Sequence, residues 1–270
     1  MDPNEKYKKL LDYLSSLQSG IVALSGGADS SFLLSAARVA LGEKVMAVTV
    51  STPYISKQEI MDAVRTAEKT GVKHKLLKLP LIDEIKLNPK DRCYLCKHYL
   101  FSVLKEYAKK EGMQCIMDGT NADDLHDYRP GIRALKELDI VSPFLNQQWT
   151  KKDIRNAAKK SGLGDWNKQP GACLLSRMPY GHEITLHELG MIEGAERYLT
   201  GMGFEFARVR SYGNLARIEV LPRDRNRFFS EKVLDEISGA LKEIGYLFVT
   251  MDLEGYRMGS MNLELSGKNN

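Results

Sequence analysis

The chain has 270 residues, with 39 Lys and Arg against 35 Asp and Glu and a formal net charge of +4 at pH 7. Hydrophobic residues make up 43% of it, which excludes a disordered composition, and no apolar run approaches the roughly 20 residues that a membrane span needs. The small excess of positive charge fits a phosphorylated small substrate and is only weak support for nucleic acid, for which a strong basic stripe is expected.

The first two thirds of the chain alternate predicted helices and strands. Residues 1–17 mix leucines with Lys, Asp and Glu, which indicates an amphipathic helix instead of a signal peptide and predicts a cytoplasmic protein. The predicted strands that follow are residues 21–24, 45–50, 74–79, 115–117 and 140–141, and the predicted helices are residues 29–41, 56–70, 93–110, 131–138 and 150–160. Gly71 is the predicted C-cap of the second of these helices, and Thr150, with Asp153 three residues on, is the predicted N-cap of the last. This alternation predicts an α/β fold with a doubly wound parallel sheet of five strands, whose ligands bind at the carboxyl ends of the strands.

The pattern of elements changes after about residue 181. The predicted elements there are helices at residues 185–200 and 228–244 and strands at residues 207–210, 216–221 and 246–251. We therefore expect a nucleotide-binding domain over residues 1–180 and a smaller α+β domain over residues 181–270, which serves substrate binding or oligomerisation.

A glycine-rich segment joins the first predicted strand to the helix after it, with the sequence Ser25-Gly26-Gly27-Ala28-Asp29-Ser30-Ser31. Its two glycines let the backbone approach a ligand closely, and the amide groups of the helix N-terminus attract an anion. No Lys-Ser or Lys-Thr pair follows, so this is not a Walker A loop and γ-phosphate chemistry is not implied. The alternative is an ordinary capped turn between a strand and a helix, which the complete string disfavours.

This string resembles the phosphate loop of the PP-loop ATP pyrophosphatases. The resemblance implies an adenine nucleotide alpha hydrolase-like fold and cleavage of ATP between its α and β phosphates, with AMP going onto the substrate. It also implies Mg²⁺ as a companion of ATP. The loop alone does not identify the substrate, because members of this class act on many different acids.

Further motifs narrow the resemblance to one family. They are residues 118–124 (DGTNADD), 127–131 (DYRPG), 142–144 (SPF), 150–155 (TKKDIR), 170–181 (PGACLLSRMPYG), 208–210 (RVR) and 216–220 (ARIEV). Between about residues 25 and 220 the chain resembles the LarE family, the sulfur transferases of nickel-pincer nucleotide biosynthesis, whose final cofactor serves lactate racemase. The resemblance implies a small-molecule substrate, pyridinium-3,5-biscarboxylic acid mononucleotide, whose carboxylates become thiocarboxylates.

The resemblance also implies roles for particular residues. Catalytic roles fall on Cys173, Asp29, Arg177 and Ser176. Nucleotide binding falls on Ser25, Gly26, Gly27, Asp29, Ser30, Ser31, Thr49, Gly119, Asp124 and Arg129. Binding of the substrate phosphate falls on Arg208, Arg210, Ser176 and Arg177, and binding of Mg²⁺ or substrate falls on Glu196 and Glu219. For Arg208 and Arg210 the spacing agrees, because alternate residues of a strand share one face and two guanidinium groups suit a phosphate, although a solvated strand face would look the same.

Four cysteines bear on the source of the sulfur. Some LarE proteins sacrifice the sulfur of one cysteine, whereas others also carry a CxxC motif and hold a [4Fe–4S] cluster; this chain, with Cys93, Cys96 and Cys173, matches the second type. Three thiolates leave one iron of such a cluster open for sulfide from an external donor, and the neighbouring Arg92 and Lys97 favour thiolates. Cys115 lies in an apolar strand and is excluded from the site.

Several alternatives remain open at the level of sequence. A structural zinc site would take Cys115 or His98 as a fourth ligand, a disulfide between Cys93 and Cys96 would serve redox chemistry, and a lone CxxC can also be chance packing. Other functions are a PP-loop tRNA thiolase, an amide-forming ligase and an adenine-nucleotide sensor. Of these, the modest charge disfavours nucleic acid as a partner. The family resemblance also implies a homo-oligomer.

Overall fold

The structure, a computed structural model, describes residues 2–126, 130–164 and 171–257. By its packing the chain divides into two compact units, one formed by Met1–Ile85 and Asp91–Gly171 and the other by Lys86–Lys90 and Ala172–Asn270. The predicted domain boundary after residue 180 stays a prediction. None of the helices within the described ranges combines the length and the apolar character that a membrane crossing requires.

The first unit is built on a parallel sheet. Its strands are β1 (Gly20–Ala23), β2 (Val45–Ser51), β3 (Lys73–Lys78) and β4 (Cys115–Met117), in the order β3-β2-β1-β4. Its helices are α1 (Pro3–Ser16), α2 (Ala28–Leu41), α3 (Lys57–Thr70), α4 (Arg92–Lys110), α5 (Gly131–Glu137), α6 (Pro143–Asn146) and α7 (Lys151–Lys160). The chain leaves β1 on one side for β2 and β3 and returns on the other side as β4, so a crevice opens at the carboxyl ends of β1 and β4.

The predicted class, a parallel α/β sheet, is confirmed, but the fifth strand is not formed as expected. The described part of the first unit pairs four strands, and the predicted strand at residues 140–141 is reduced to a single parallel bridge between Met117 and Val141. The local backbone explains this loss. Asp139 has a positive φ of 54°, and Ser142 is already the N-cap of α6 with Pro143 at its start, so two residues remain for pairing.

Local signals set the ends of several helices. Thr150 and Asp153 form the predicted capping box at the start of α7, and Gly71 ends α3 in the left-handed conformation with φ 63°. The core of the first unit forms where α1, α2 and α6 meet, with Phe32 stacked on Phe144 at 5.8 Å and tilted against Trp149. This packing anchors α2, and therefore the loop that precedes it.

In its described residues, the second unit contains a three-stranded sheet covered by two helices. Its elements are α8 (Leu186–Gly201), β5 (Ala207–Tyr212), β6 (Leu215–Val220), α9 (Glu231–Ile244) and β7 (Phe248–Met251). β5 and β6 form an antiparallel hairpin around Gly213, whose φ is 65°, and β7 pairs parallel to β6 after the crossover through α9. The α+β character is as predicted, but α9 begins three residues later than expected because Pro222–Phe228 forms a 3-10 helix.

Candidate active site

The glycine-rich segment forms a closed loop between β1 and α2. The Ser30 hydroxyl accepts a hydrogen bond from the Ser25 amide at 3.2 Å, lies 3.0 Å from the Ser25 hydroxyl, and donates to the Gly27 carbonyl. Gly27 is the N-cap residue of α2 and has no side chain with which to cap the first amide groups. These amides, with the helix dipole behind them, form an anion site of the kind that phosphate occupies.

The two adjacent glycines of this loop have different reasons to be glycine. Gly26 has a φ of 75°, and a Cβ there would stand 2.4 Å from the Glu59 carbonyl oxygen in α3. Gly27 has an ordinary φ of −83°, and the nearest atom to a Cβ there would be the Ser25 hydroxyl at 3.5 Å. Gly26 is therefore required by packing, whereas Gly27 faces open space.

The segment after β4 packs directly onto this loop. A Cβ on Gly119 would stand 3.2 Å from the Ser30 amide nitrogen, so the two segments are in close contact. The Asn121 side-chain amide donates to Asp29 at 2.9 Å and holds that carboxylate in place. The predicted nucleotide-binding residues Asp29, Ser30 and Gly119 are thus brought together at the carboxyl ends of β1 and β4.

The negative charges of two carboxylates at this edge, Asp29 and Asp124, repel each other. Burial, and secondly the charge of Asp124, raise the pKa of Asp29 above its usual value. Asp124 is itself buried, accepts a hydrogen bond from the backbone N–H of Asn121, and pairs with the Lys151 ammonium at 3.0 Å. A cationic group bound beside Asp29 would relieve this repulsion, which suits a nucleotide that arrives with a metal ion.

The CxxC motif lies at the same edge of the sheet. Cys93 and Cys96 stand one turn apart at the start of α4, and the Tyr54 hydroxyl, three residues beyond the end of β2, lies 3.2 Å from the Cys96 sulfur. Next to the motif, the Lys97 ammonium lies 3.8 Å from Asp118, the first residue after β4. The first turn of α4 is therefore tied to the carboxyl ends of both β2 and β4.

All four cysteines are free thiols in this structure. None of them forms a disulfide, so a Cys93–Cys96 disulfide is absent. Within the described ranges no three His, Cys, Asp or Glu side chains are grouped as a metal site. Cys93 is exposed, which leaves its sulfur accessible to a ligand or a reagent.

Cys115 is expected to react more slowly than the exposed Cys93. Burial raises its pKa to about 11, from an ordinary value of 9.0, so its thiolate fraction near neutral pH falls by about 100-fold. With a small alkylating reagent at pH 7.5, mass spectrometry of the native protein should find Cys93 modified well before Cys115. Unfolding the protein in denaturant should remove the difference, and equal native rates would contradict the assignment of Cys115 to the core.

In the second unit, Arg177 organises the turn that carries Cys173. Its Nη1 donates to the carbonyl oxygens of Ala172 and Cys173 and to the Ser176 hydroxyl, at 2.7, 3.1 and 2.8 Å. Its Nε and Nη2 form a bidentate ion pair with the Glu196 carboxylate, at 2.9 and 3.1 Å. Arg177 is almost fully buried. Its direct contact with a substrate phosphate stays a prediction, while its hold on the backbone of Cys173 is observed.

The two predicted phosphate-binding arginines of β5 are held differently. Arg210 is buried and donates at 2.7 Å both to the Ser176 carbonyl and to Glu219, which also pairs with Arg217. Arg208 makes a longer contact of 3.4 Å with Glu196 and lies over the Phe206 ring. Binding of the substrate phosphate by either arginine stays a prediction.

Glu196 and Glu219 neutralise arginines in this structure. Glu196 also accepts a hydrogen bond from the Val209 amide at 3.1 Å. The described cluster contains four guanidinium groups and three carboxylates that form ion pairs with them. The guanidinium groups belong to Arg177, Arg208, Arg210 and Arg217, and the carboxylates belong to Glu196, Glu219 and Asp252. The role of the two glutamates in binding Mg²⁺ stays a prediction.

Lysine substitutions should separate the roles of Arg208 and Arg210. Arg208→Lys is expected to weaken substrate binding by about 1.5–3 kcal/mol with little change in thermal stability, because a point charge replaces a planar fork whose described contact to Glu196 is long, at 3.4 Å. Arg210→Lys is expected to lower stability as well, since it breaks two short buried contacts. Titration calorimetry with the substrate and thermal unfolding of both variants measure this, and unchanged affinity in both would place the phosphate elsewhere.

The other predicted residues lie as follows. The Thr49 hydroxyl is buried, donates to the Leu24 carbonyl at 2.8 Å and meets His74, so it supports the end of β1. The Ser31 hydroxyl lies 3.4 Å from the Thr66 hydroxyl of α3. Arg129 lies outside the described residues. Nucleotide contacts by these three residues stay predictions.

Sequence reasoning missed residues whose partners lie far away along the chain. Asn121 and Lys151 stand in motifs that pointed to this site, and those motifs are the sequence signal for both residues. Tyr54 carried no local signal. In the second unit, the buried Asn88 donates to the carbonyls of Leu175, Met178 and Pro179 and shapes the turn after Cys173.

The phosphate loop lies at the carboxyl edge of a parallel sheet, and the helix after it begins without a side-chain cap. Together with the sequence of the loop, these features define an enzyme of the PP-loop ATP pyrophosphatase class. A family model described as queuosine biosynthesis protein QueC matches residues 19–89, which include this loop. The chain is also 35% identical over 260 residues to pyridinium-3,5-bisthiocarboxylic acid mononucleotide synthase of Lactiplantibacillus plantarum, covering 95% of this chain and 94% of that protein. The chain therefore belongs to the LarE family, as its motifs predicted.

Two further relatives have no described function. An uncharacterized protein of Synechocystis sp. is 38% identical over 263 residues, with 97% of this chain and 98% of that protein covered. An uncharacterized protein of Methanocaldococcus jannaschii is 38% identical over 239 residues, with 88% and 90% covered. Similarity over nearly the whole length includes the second unit as well as the phosphate loop.

Proposed function

We propose that the chain is an ATP-dependent sulfurtransferase that adenylates a carboxylate of pyridinium-3,5-biscarboxylic acid mononucleotide and converts it to a thiocarboxylate. One observation carries this proposal: the CxxC turn and the phosphate loop lie at the same edge of one parallel sheet. An amide-forming ligase of the same class would not need thiols there. The name of the relative from L. plantarum supports the choice of substrate.

The reaction consists of two substitutions. A carboxylate oxygen of the substrate attacks the α-phosphorus of ATP, pyrophosphate leaves, and an acyl adenylate forms. Sulfide then attacks the acyl carbon, and AMP leaves with the oxygen through which it was attached, so that a thiocarboxylate remains. The loop at Ser25–Ser31 would hold the pyrophosphate, and Asn121 would keep the Asp29 carboxylate oriented beside it.

We further propose Cys93, Cys96 and Cys173 as ligands of a [4Fe–4S] cluster. The donor set fits this group, because thiolates are its usual ligands, two of them stand one helical turn apart, and no disulfide occupies them. Bound by three ligands, the cluster would supply one iron position for sulfide from an external donor. Arg177, through its bond to the Cys173 carbonyl, would keep the backbone of that ligand fixed.

Release of pyrophosphate tests the proposed function. Protein reconstituted anaerobically with iron and sulfide should form AMP and pyrophosphate from ATP only when the pyridinium mononucleotide is present. Release with bulk tRNA, and none with the mononucleotide, would instead identify a tRNA thiolase. Binding of ATP without pyrophosphate release under either condition would leave an adenine-nucleotide sensor.

The other expected properties stay predictions of this proposal. The sulfur donor is expected to be external sulfide or a protein that delivers it, and the chain is expected to form a homo-oligomer in the cytoplasm. Mg²⁺ is expected to accompany ATP, as the opposed carboxylates of Asp29 and Asp124 suggest. Nucleic acid is not expected as a partner.

A further inference from the structure

The hydroxyl of Tyr54 contacts Cys96, a proposed cluster ligand, and the proposed mechanism does not use this contact. Its side chain is 1% exposed, and it stands in the turn after β2, where the Ile55 amide bonds back to the Thr52 carbonyl at 3.2 Å. A buried tyrosine hydroxyl needs a polar partner. Here the Tyr54 hydroxyl lies 3.2 Å from the Cys96 sulfur, a short distance for a hydrogen bond that involves sulfur.

The direction of this hydrogen bond depends on the state of the sulfur. Between a phenol and a thiol either group can donate. A thiolate that binds iron has no proton, so the Tyr54 hydroxyl must then be the donor. A hydrogen bond to a charged acceptor is stronger than one between neutral groups, so ligation of iron by Cys96 would strengthen this contact.

We infer that Tyr54 is a positioning residue for the iron–sulfur group: its hydroxyl donates to the Cys96 thiolate, fixes that ligand at the phosphate-loop edge of the sheet, and raises the reduction potential of the bound cluster. This inference rests on the proposed cluster. A hydrogen bond donated to a ligand sulfur stabilises the reduced, more negative form of a cluster. Groups that form hydrogen bonds to metal ligands commonly change the affinity for the metal as well.

The inference is tested with Tyr54→Phe, which keeps the buried ring and removes only the hydroxyl. The reconstituted variant should show a more negative cluster potential than wild type and should lose iron to a chelator faster, by about tenfold. Tyr107→Phe, on the same helix as the CxxC but near its far end, is the matched control and should match wild type in both measurements. Thermal unfolding of the apo-proteins checks that the variants fold.

Resonance Raman spectra of the wild type in H₂O and D₂O need no variant. Exchange of the Tyr54 hydroxyl proton should shift an iron–cysteine stretching band in the wild type. Equal potentials and iron-release rates in wild type and Tyr54→Phe, or no isotope shift, would overturn the inference while leaving the cluster in place. A wild type that binds no cluster would overturn the inference and the proposed cluster together.

Discussion

Replacing Cys93, Cys96 or Cys173 with alanine is expected to abolish the iron–sulfur absorbance and sulfur transfer together, with activity falling by more than about 100-fold. Two ligands hold such a cluster poorly, and a lost ligand changes the number of open iron positions. Iron and sulfide analysis, visible absorbance and thiocarboxylate formation measure the effect. Cys115→Ala is the matched control, since burial raises the pKa of that thiol to about 11 and keeps it protonated; it should retain both properties.

The same experiment distinguishes a cluster from a sacrificed cysteine. With external sulfide the wild type should turn over more than once, and mass spectrometry afterwards should find Cys173 intact. Dehydroalanine at Cys173 would mean that the protein gave up its own sulfur. Activity that survives in Cys93→Ala and Cys96→Ala but not in Cys173→Ala would point to the same conclusion, and the cluster would have to be abandoned.

Asp29→Asn is expected to reduce pyrophosphate release by about 10²–10³-fold while leaving the fold intact. The substitution preserves the shape of the side chain beside Asn121 and removes its charge. Because burial and Asp124 raise the pKa of Asp29, ionised Asp29 costs folding free energy at neutral pH. The variant should therefore be more stable than wild type at pH 7, and the advantage should disappear as the pH falls through the raised pKa and Asp29 becomes protonated.

The two glycines of the phosphate loop supply a matched pair for the same measurement. Gly27→Ala should fold normally, because its backbone suits alanine and the nearest atom to the new Cβ among the described residues lies 3.5 Å away, yet it should impair adenylation. Gly26→Ala should lower stability by about 1 kcal/mol or more, owing to its φ of 75° and the approach to the Glu59 carbonyl. Wild-type rates of AMP formation in both Asp29→Asn and Gly27→Ala would refute the loop assignment.

Sequence reasoning succeeded where the signal is local. The glycine pair after β1, the Thr150 capping box and the Gly71 helix end each depend on a few neighbouring residues, and the structure has them as predicted. The predicted fifth strand does not form, because the backbone on either side of it leaves it too short. Residues 140 and 141 have strand propensity, but the backbone of Asp139 and the helix start at Ser142 leave them no length to pair.

The amino-acid sequence by itself determined the class of fold, the phosphate loop and the family, because these depend on periodicity and on motifs with fixed spacing. Only the tertiary structure decided which side chains meet. The Asp29–Asn121 contact joins residues 92 positions apart, and the Tyr54–Cys96 contact joins residues 42 positions apart. The order of strands in the sheet brings these pairs together, and no local pattern encodes that order. Likewise, the sequence shows arginines at positions 177, 208 and 210, but only the packing of the chain determines which glutamates neutralise them.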